Sequence, residues 1–195
     1  MESTRGVRWL KQFGIERSGT NVINVVCRKA FGFNPLTNTF GRKHDEFDPS
    51  RFKHLCDFGF LISIRDPYAW LRSYLNWLPG DRWRVNFAAA QCKRFNRLYR
   101  SWSEIENRQV IRHEFLMTNV ENVVARISED FGLPIVGPVE LPKNQVLPNE
   151  RVGAKPFDSS YYLERRYLDE IPSQFRHVVT DLIDWSRLAP YYEPE

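Results

Sequence analysis

Residues 58–64, Phe-Gly-Phe-Leu-Ile-Ser-Ile, form a near-continuous apolar run that passes at once into Arg65-Asp66-Pro67. A strand without polar alternation has both faces buried, which is the pattern of a parallel sheet with helices packed on either side. Asp and Pro are favoured at the cap and first position of a helix. Trp70, Leu71, Tyr74, Leu75 and Leu78 then recur at helical spacing until Pro79-Gly80. This one stretch predicts a buried strand, a short turn and a helix.

The same order recurs along the chain. Residues 7–13 read as a first strand bounded by Gly14, and 18–30 as a helix with Val22, Ile23, Val26 and Ala30 on its apolar face. Residues 37–42 read as a short second strand ending in Lys43-His44-Asp45. Residues 87–105 read as a long basic helix with Phe95, Leu98, Tyr99 and Trp102 toward the core. A strand at 109–112, a helix at 120–131 closed by Gly132 and Pro134, and a final amphipathic helix at 175–185 complete the series. Residues 133–160 hold five prolines and little periodicity, and are expected to be a long loop of the kind that is often functional. Strands alternating with helices imply an α/β fold with a mostly parallel central sheet flanked by helices. With 195 residues, no repeat and no Gly/Ser linker, a single domain over 1–195 is expected.

The apolar runs fall far short of the ~20 residues a membrane span needs, and the first eleven residues lack a signal peptide's apolar stretch. The expected location is the cytoplasm, although a luminal domain cut from a membrane-anchored protein would read the same. Cys27, Cys56 and Cys92 form no paired motif and are expected to be buried free thiols. A net charge of +4 and a pI near 9.0 suit an anionic partner, without choosing between a nucleotide, an acidic sugar polymer and nucleic acid.

The chemistry concentrates after the first strand, in Gly14-Ile15-Glu16-Arg17-Ser18-Gly19-Thr20-Asn21. A glycine-bearing turn opening a helix brings unpaired backbone N–H groups to face an anion. The spacing of Gly14 and Gly19 is that of a phosphate-binding P-loop. The Lys and Ser/Thr that should follow the second glycine are replaced by Thr20 and Asn21, which weakens an ATPase or kinase reading.

Arg17-Ser18-Gly19-Thr20 resembles the 5′-phosphosulfate loop of sulfotransferases, in which Lys or Arg precedes Ser-Gly-Thr. Arg65-Asp66-Pro67 with Ser73 resembles the family's second signature, an Arg at a strand end and a Ser on the next helix that hold the donor's 3′-phosphate. Ile111-Arg112-His113-Glu114-Phe115-Leu116 and Phe131-Gly132-Leu133-Pro134 are similar to later family segments, and Arg151-Val152-Gly153 to its late Arg-x-Gly loop. The resemblance covers residues 7–134 well and the remainder poorly. It implies a P-loop NTPase-like three-layer sandwich and 3′-phosphoadenosine-5′-phosphosulfate as donor. It also implies sulfuryl transfer to an acceptor hydroxyl with no metal required. Arg17, Ser18, Gly19, Thr20, Asn21, Arg65, Ser73 and Arg151 would hold the donor, with Arg17 also stabilising the leaving oxygen.

His44 is the expected general base, since imidazole titrates near neutral pH, and Lys43 is expected to assist at the sulfate. Asp45, Glu46 and Glu16 are rivals, and His54 and His113 are less well placed. The expected acceptor is a carbohydrate, on the strength of Trp77, Trp83, Trp102 and the arginines. The competing readings are a P-loop nucleotide-dependent phosphotransferase, and a non-catalytic module in which Lys93, Arg94, Arg97 and Arg100 engage an anionic polymer. A plainer alternative makes those basic residues a solvated helix face and the loop an ordinary strand-to-helix turn.

Overall fold

The computed structural model describes residues 6–80, 83–146, 152–156 and 158–192. Three parallel strands, β1 (Trp9–Gly14), β2 (Phe58–Ile64) and β3 (Arg108–Arg112), lie in the order β1-β2-β3. Trp9 pairs with Phe58 and Gly14 with Ser63, while Phe60 pairs with Arg108 and Ile64 with Arg112. This register lines up the carboxyl ends of all three strands, so the segments that follow them emerge along one edge of the sheet. Ligands bind at that edge in open α/β sheets.

Both faces are covered, as the buried run requires. Phe58, Phe60, Ile62 and Ile64 of β2 point into one apolar cluster. That cluster is shared with α2 (Pro67–Trp77), α3 (Val85–Ser103) and α7 (Ser173–Leu182). Leu10, Leu61 and Ile111 point the other way, onto α1 (Thr20–Phe31), α4 (His113–Thr118) and α5 (Val120–Phe131). Gly59 has no room for a side chain on that second face, because a Cβ would lie 2.6 Å from the Phe131 ring. A closely packed group of Phe13, Phe47, Phe52, Phe58 and Phe60 seats residues 40–58 on the first face. Among the described residues, no helix is long and apolar enough to cross a membrane.

The structure departs from the sequence expectation at several points. The strand expected at 37–42 is reduced to a single parallel bridge between Leu36 and Lys11. Phe40 and Gly41 turn left-handed at φ 62° and 102°, and the Lys11 ammonium takes the carbonyl groups of Thr37 and Gly41, so extended pairing cannot continue. The stretch 133–160, expected as one loop, contains an antiparallel pair, β4 (Asn144–Val146) with β5 (Val152–Pro156), and the start of α6 (Ser159–Leu163). The helix expected at 175–185 ends at Leu182, and α8 (Trp185–Leu188) is separate. Cys27 and Cys92 are buried, and burial pushes both thiols up to about 12, but Cys56 is exposed.

Candidate anion-binding site at the carboxyl edge of the sheet

The turn after β1 is built by its own residues. The Ser18 hydroxyl and backbone N–H both donate to the Ile15 carbonyl, at 2.7 and 3.1 Å. Arg17 adopts φ 69°, a left-handed conformation that is strained for a residue with a Cβ and often marks a functional turn. Gly19 follows at φ 93° and caps α1. A Cβ there would collide with Nδ1 of His113, so glycine is demanded by both conformation and space. No side chain caps the N-terminus of α1 and its first turn carries no acidic residue, which leaves the helix start suited to an anion. Below the turn, buried Gln12 donates to the Thr20 carbonyl at 3.0 Å and to the Ser63 hydroxyl at 3.2 Å, fixing the helix on the sheet.

The second predicted grip closes onto the first. Asp66 accepts the N–H groups of Tyr68 and Ala69 and starts α2 as expected. Nη1 of Arg65 donates to the Arg17 carbonyl at 3.1 Å, and Nε of Arg17 donates to the Ser73 hydroxyl at 3.1 Å. Residues 48 and 56 apart in sequence are thus joined in one basic cluster. Burial, with the like charge of Arg65, pushes Arg17 below the ordinary guanidinium range. An anion between the two would relieve that repulsion. Arg151 lies outside the described residues.

Lys43 and His44 arrive from the other side of β1. The Gly14 N–H donates to the Lys43 carbonyl at 2.9 Å, and Nζ of Lys43 donates to Oδ1 of Asn21 at 2.8 Å, so a lysine reaches the helix start through space. Nδ1 of His44 lies 2.5 Å from the Gly14 carbonyl. A carbonyl only accepts, so Nδ1 carries the proton and Nε2 holds the lone pair of the neutral ring. Burial lowers the pKa of His44, opposed by the Gly14 bond and the Glu16 carboxylate, so the neutral form is favoured at neutral pH.

The rivals are otherwise engaged. Glu16 is held by both terminal nitrogens of Arg94 at 2.7 and 2.9 Å. Burial works against its charge, but the Arg94 bonds prevail and hold the carboxyl below its usual range. Asp45 caps the turn by accepting the Arg42 N–H, and exposed Glu46 pairs with Arg97 at 2.9 Å. His54 is exposed at the start of a short 3-10 turn. Of the four basic residues, Lys93, Arg97 and Arg100 lie on a solvated helix face, and Arg94 alone turns in to hold the loop after β1. Trp102 is buried and donates to the Asp45 carbonyl, and Trp83 packs on Phe175, whereas Trp77 remains 46% exposed.

The sequence names His113 only as a less well placed base, Glu114 only within a family-like segment and Tyr162 not at all. Glu114, with its side chain 11% exposed, faces Nε of Arg65 at 4.0 Å and accepts the Asp66 N–H and the Tyr192 hydroxyl. Burial raises its pKa, against the pull of Arg65. Tyr162 lies 5.5 Å from the Arg65 guanidinium and meets His113 edge-on. Burial, then the charges of Arg65 and Arg17, hold His113 well below its ordinary pKa. Beside this group a cavity of about 650 Å³ opens at the end of β3, lined by Asp66, Arg112, Glu114, Tyr162, Tyr167 and Tyr192 among others.

Fold and site together define an α/β protein with a parallel sheet and a cluster of basic side chains at its carboxyl edge. In comparisons with known proteins, no family model matches the chain and no curated protein matches it.

Proposed function

We propose that this basic cluster binds 3′-phosphoadenosine-5′-phosphosulfate and that the protein transfers its sulfuryl group to an acceptor hydroxyl, with a carbohydrate as the acceptor class. The observation that carries this reading is the direct linkage of the two grips, Arg65 to the Arg17 carbonyl and Arg17 to Ser73. One adenosine ligand phosphorylated at both ends would bridge them. The α1 N-terminus and Arg17 would take the 5′ end, and Arg65 with Ser73 the 3′-phosphate. The tyrosine-lined cavity is of ligand size and is lined by Asp66, Glu114 and Tyr162, which neighbour or face Arg65, although neither grip itself lines it.

In the transfer, the acceptor oxygen forms a bond to sulfur as the bond from sulfur to the phosphate oxygen breaks. The acceptor's proton passes to Nε2 of His44. Lys43 and Arg17 offset charge on the departing phosphate oxygen. Exposed Trp77, with Tyr74 at 6.0 Å between it and the Glu16–Arg94 pair, offers an aromatic surface suited to a sugar ring.

The reach of Lys43 to Asn21 favours a second reading, a nucleoside-triphosphate-dependent phosphotransferase whose lysine comes from outside the loop. A thermal-shift titration with 3′,5′-adenosine bisphosphate against ATP with magnesium separates the two, because a ligand stabilises in proportion to its occupancy of the native state. Sulfuryl transfer predicts a rise of several degrees with the bisphosphate. Stabilisation by ATP alone would reject it in favour of the second reading.

A further inference from the structure

The least expected side chain in the core is Lys11. It sits in the middle of β1 and is fully buried. Burying an ammonium is costly unless it is well bonded, and this one is. Nζ donates to the carbonyls of Thr37 at 3.1 Å and Gly41 at 2.7 Å, and lies 5.0 Å from the centre of the Phe13 ring. The backbone nearby is tied as well, through Gln12 N–H to the Leu36 carbonyl and Leu36 N–H to the Leu10 carbonyl.

The ammonium acts on the chain just past Gly41. There the backbone makes a turn over residues 42–45, closed by the Asp45 carboxylate on the Arg42 N–H. Lys43 and His44 then lie against Gly14, and the Trp102 indole holds the Asp45 carbonyl at 2.9 Å. The turn is thus fixed at its far end by Trp102 and at its near end by Lys11. We infer that Lys11 is a positioning residue for His44: its ammonium holds the Thr37 and Gly41 carbonyls so that the next turn sets the imidazole against the end of β1. The catalytic meaning of this role rests on the sulfuryl-transfer reading, but the positioning does not.

The tether is sensitive to pH. Burial lowers Lys11 from 10.5 to about 8, with Asp45 opposing the shift and Arg51 adding to it. Above that value the neutral amine donates more weakly, and the grip on both carbonyls loosens. The change is local. Because the folded pKa lies below the unfolded one, folding releases a proton between about 8 and 10.5. This linkage therefore favours the folded state as pH rises through that window.

NMR of the His44 ring in the full, ligand-free chain from pH 6 to 9.5 tests the inference, with the signal assigned from a His44→Gln spectrum. Besides the imidazole's own titration, a second inflection near pH 8 is expected in the native protein. It should vanish in Lys11→Met, with the signal shifted toward that of an exposed histidine at every pH. Lys11→Arg, which keeps a donor and does not titrate, should lose the inflection while leaving the signal near its native position. Absence of an inflection near pH 8 in the native protein overturns the inference. So does a second inflection that survives in either variant, as it would if another group were its source. Failure of the bisphosphate to bind would sink the donor reading and leave this result untouched.

Discussion

Two segments meet at the end of β1, and they are held there by opposite means. The turn of residues 15–21 is fixed from within, by the Ser18 hydroxyl on Ile15, by Gly19 at φ 93° and by the helix it opens. The segment 36–46 has almost no regular structure and is fixed from without, by Lys11, Gly14 and Trp102. The first supplies backbone N–H groups that must be ready before an anion arrives. The second supplies side chains, Lys43 and His44, whose usefulness depends on where distant residues hold them. Substitutions should therefore damage the first through the backbone and the second through its anchors.

The largest effect is expected at Gly19. Alanine there combines left-handed strain with a Cβ driven against buried His113. The two costs together are roughly 4 kcal/mol. Chemical denaturation of Gly19→Ala should show that loss, and bisphosphate binding should fall with it. A variant as stable as the native chain would mean that the turn adjusts freely, and the contrast between the two segments would be lost.

Gly19 also shows why this half of the site was legible. Arg17-Ser18-Gly19-Thr20 and the pair Arg65 and Ser73 are short patterns whose geometry is set by neighbours in the chain, so their spacing carries their placement. The buried run at 58–64 is legible for the same reason and became β2 without change of boundary. Lys11 was not legible. A lone lysine in a short strand looks like a solvent-facing residue, and only the return of residues 37–41 over β1 turns it inward. Glu16 and Arg94 are 78 residues apart, and Tyr162 meets Arg65 from α6, far along the chain. Contacts of that kind depend on how the layers assemble, which no local spacing records.

The next prediction probes the second segment. His44→Asn keeps an amide nitrogen at the position of Nδ1, able to donate to the Gly14 carbonyl, but removes the lone pair at Nε2. Donor binding should stay within a few-fold of native, while turnover falls roughly 100-fold or more, about 2.7 kcal/mol in the barrier. Turnover measured on a panel of glycan acceptors, beside calorimetric binding of the bisphosphate, separates the two quantities. Full turnover would remove His44 from the reaction and leave segment 36–46 as a structural support.

The smallest effect sharpens the comparison most, because Glu16 belongs to the first segment by sequence and serves the second by charge. Its pairing with Arg94 is bidentate and only partly exposed, so Glu16→Gln should cost about 1 kcal/mol at pH 7. The sign with pH is fixed by the direction of the shift. The folded carboxyl sits below its ordinary value of 4.5. Its contribution is therefore complete above that value and is lost as pH falls through the lower folded pKa. Urea midpoints of native and Glu16→Gln proteins should differ at pH 7 and converge as pH falls below 4.5. The same change removes a carboxylate that raises the pKa of His44, so the imidazole's titration should move further down in the variant. Convergence without movement of His44 would show that the two segments share an edge of the sheet and no electrostatic coupling.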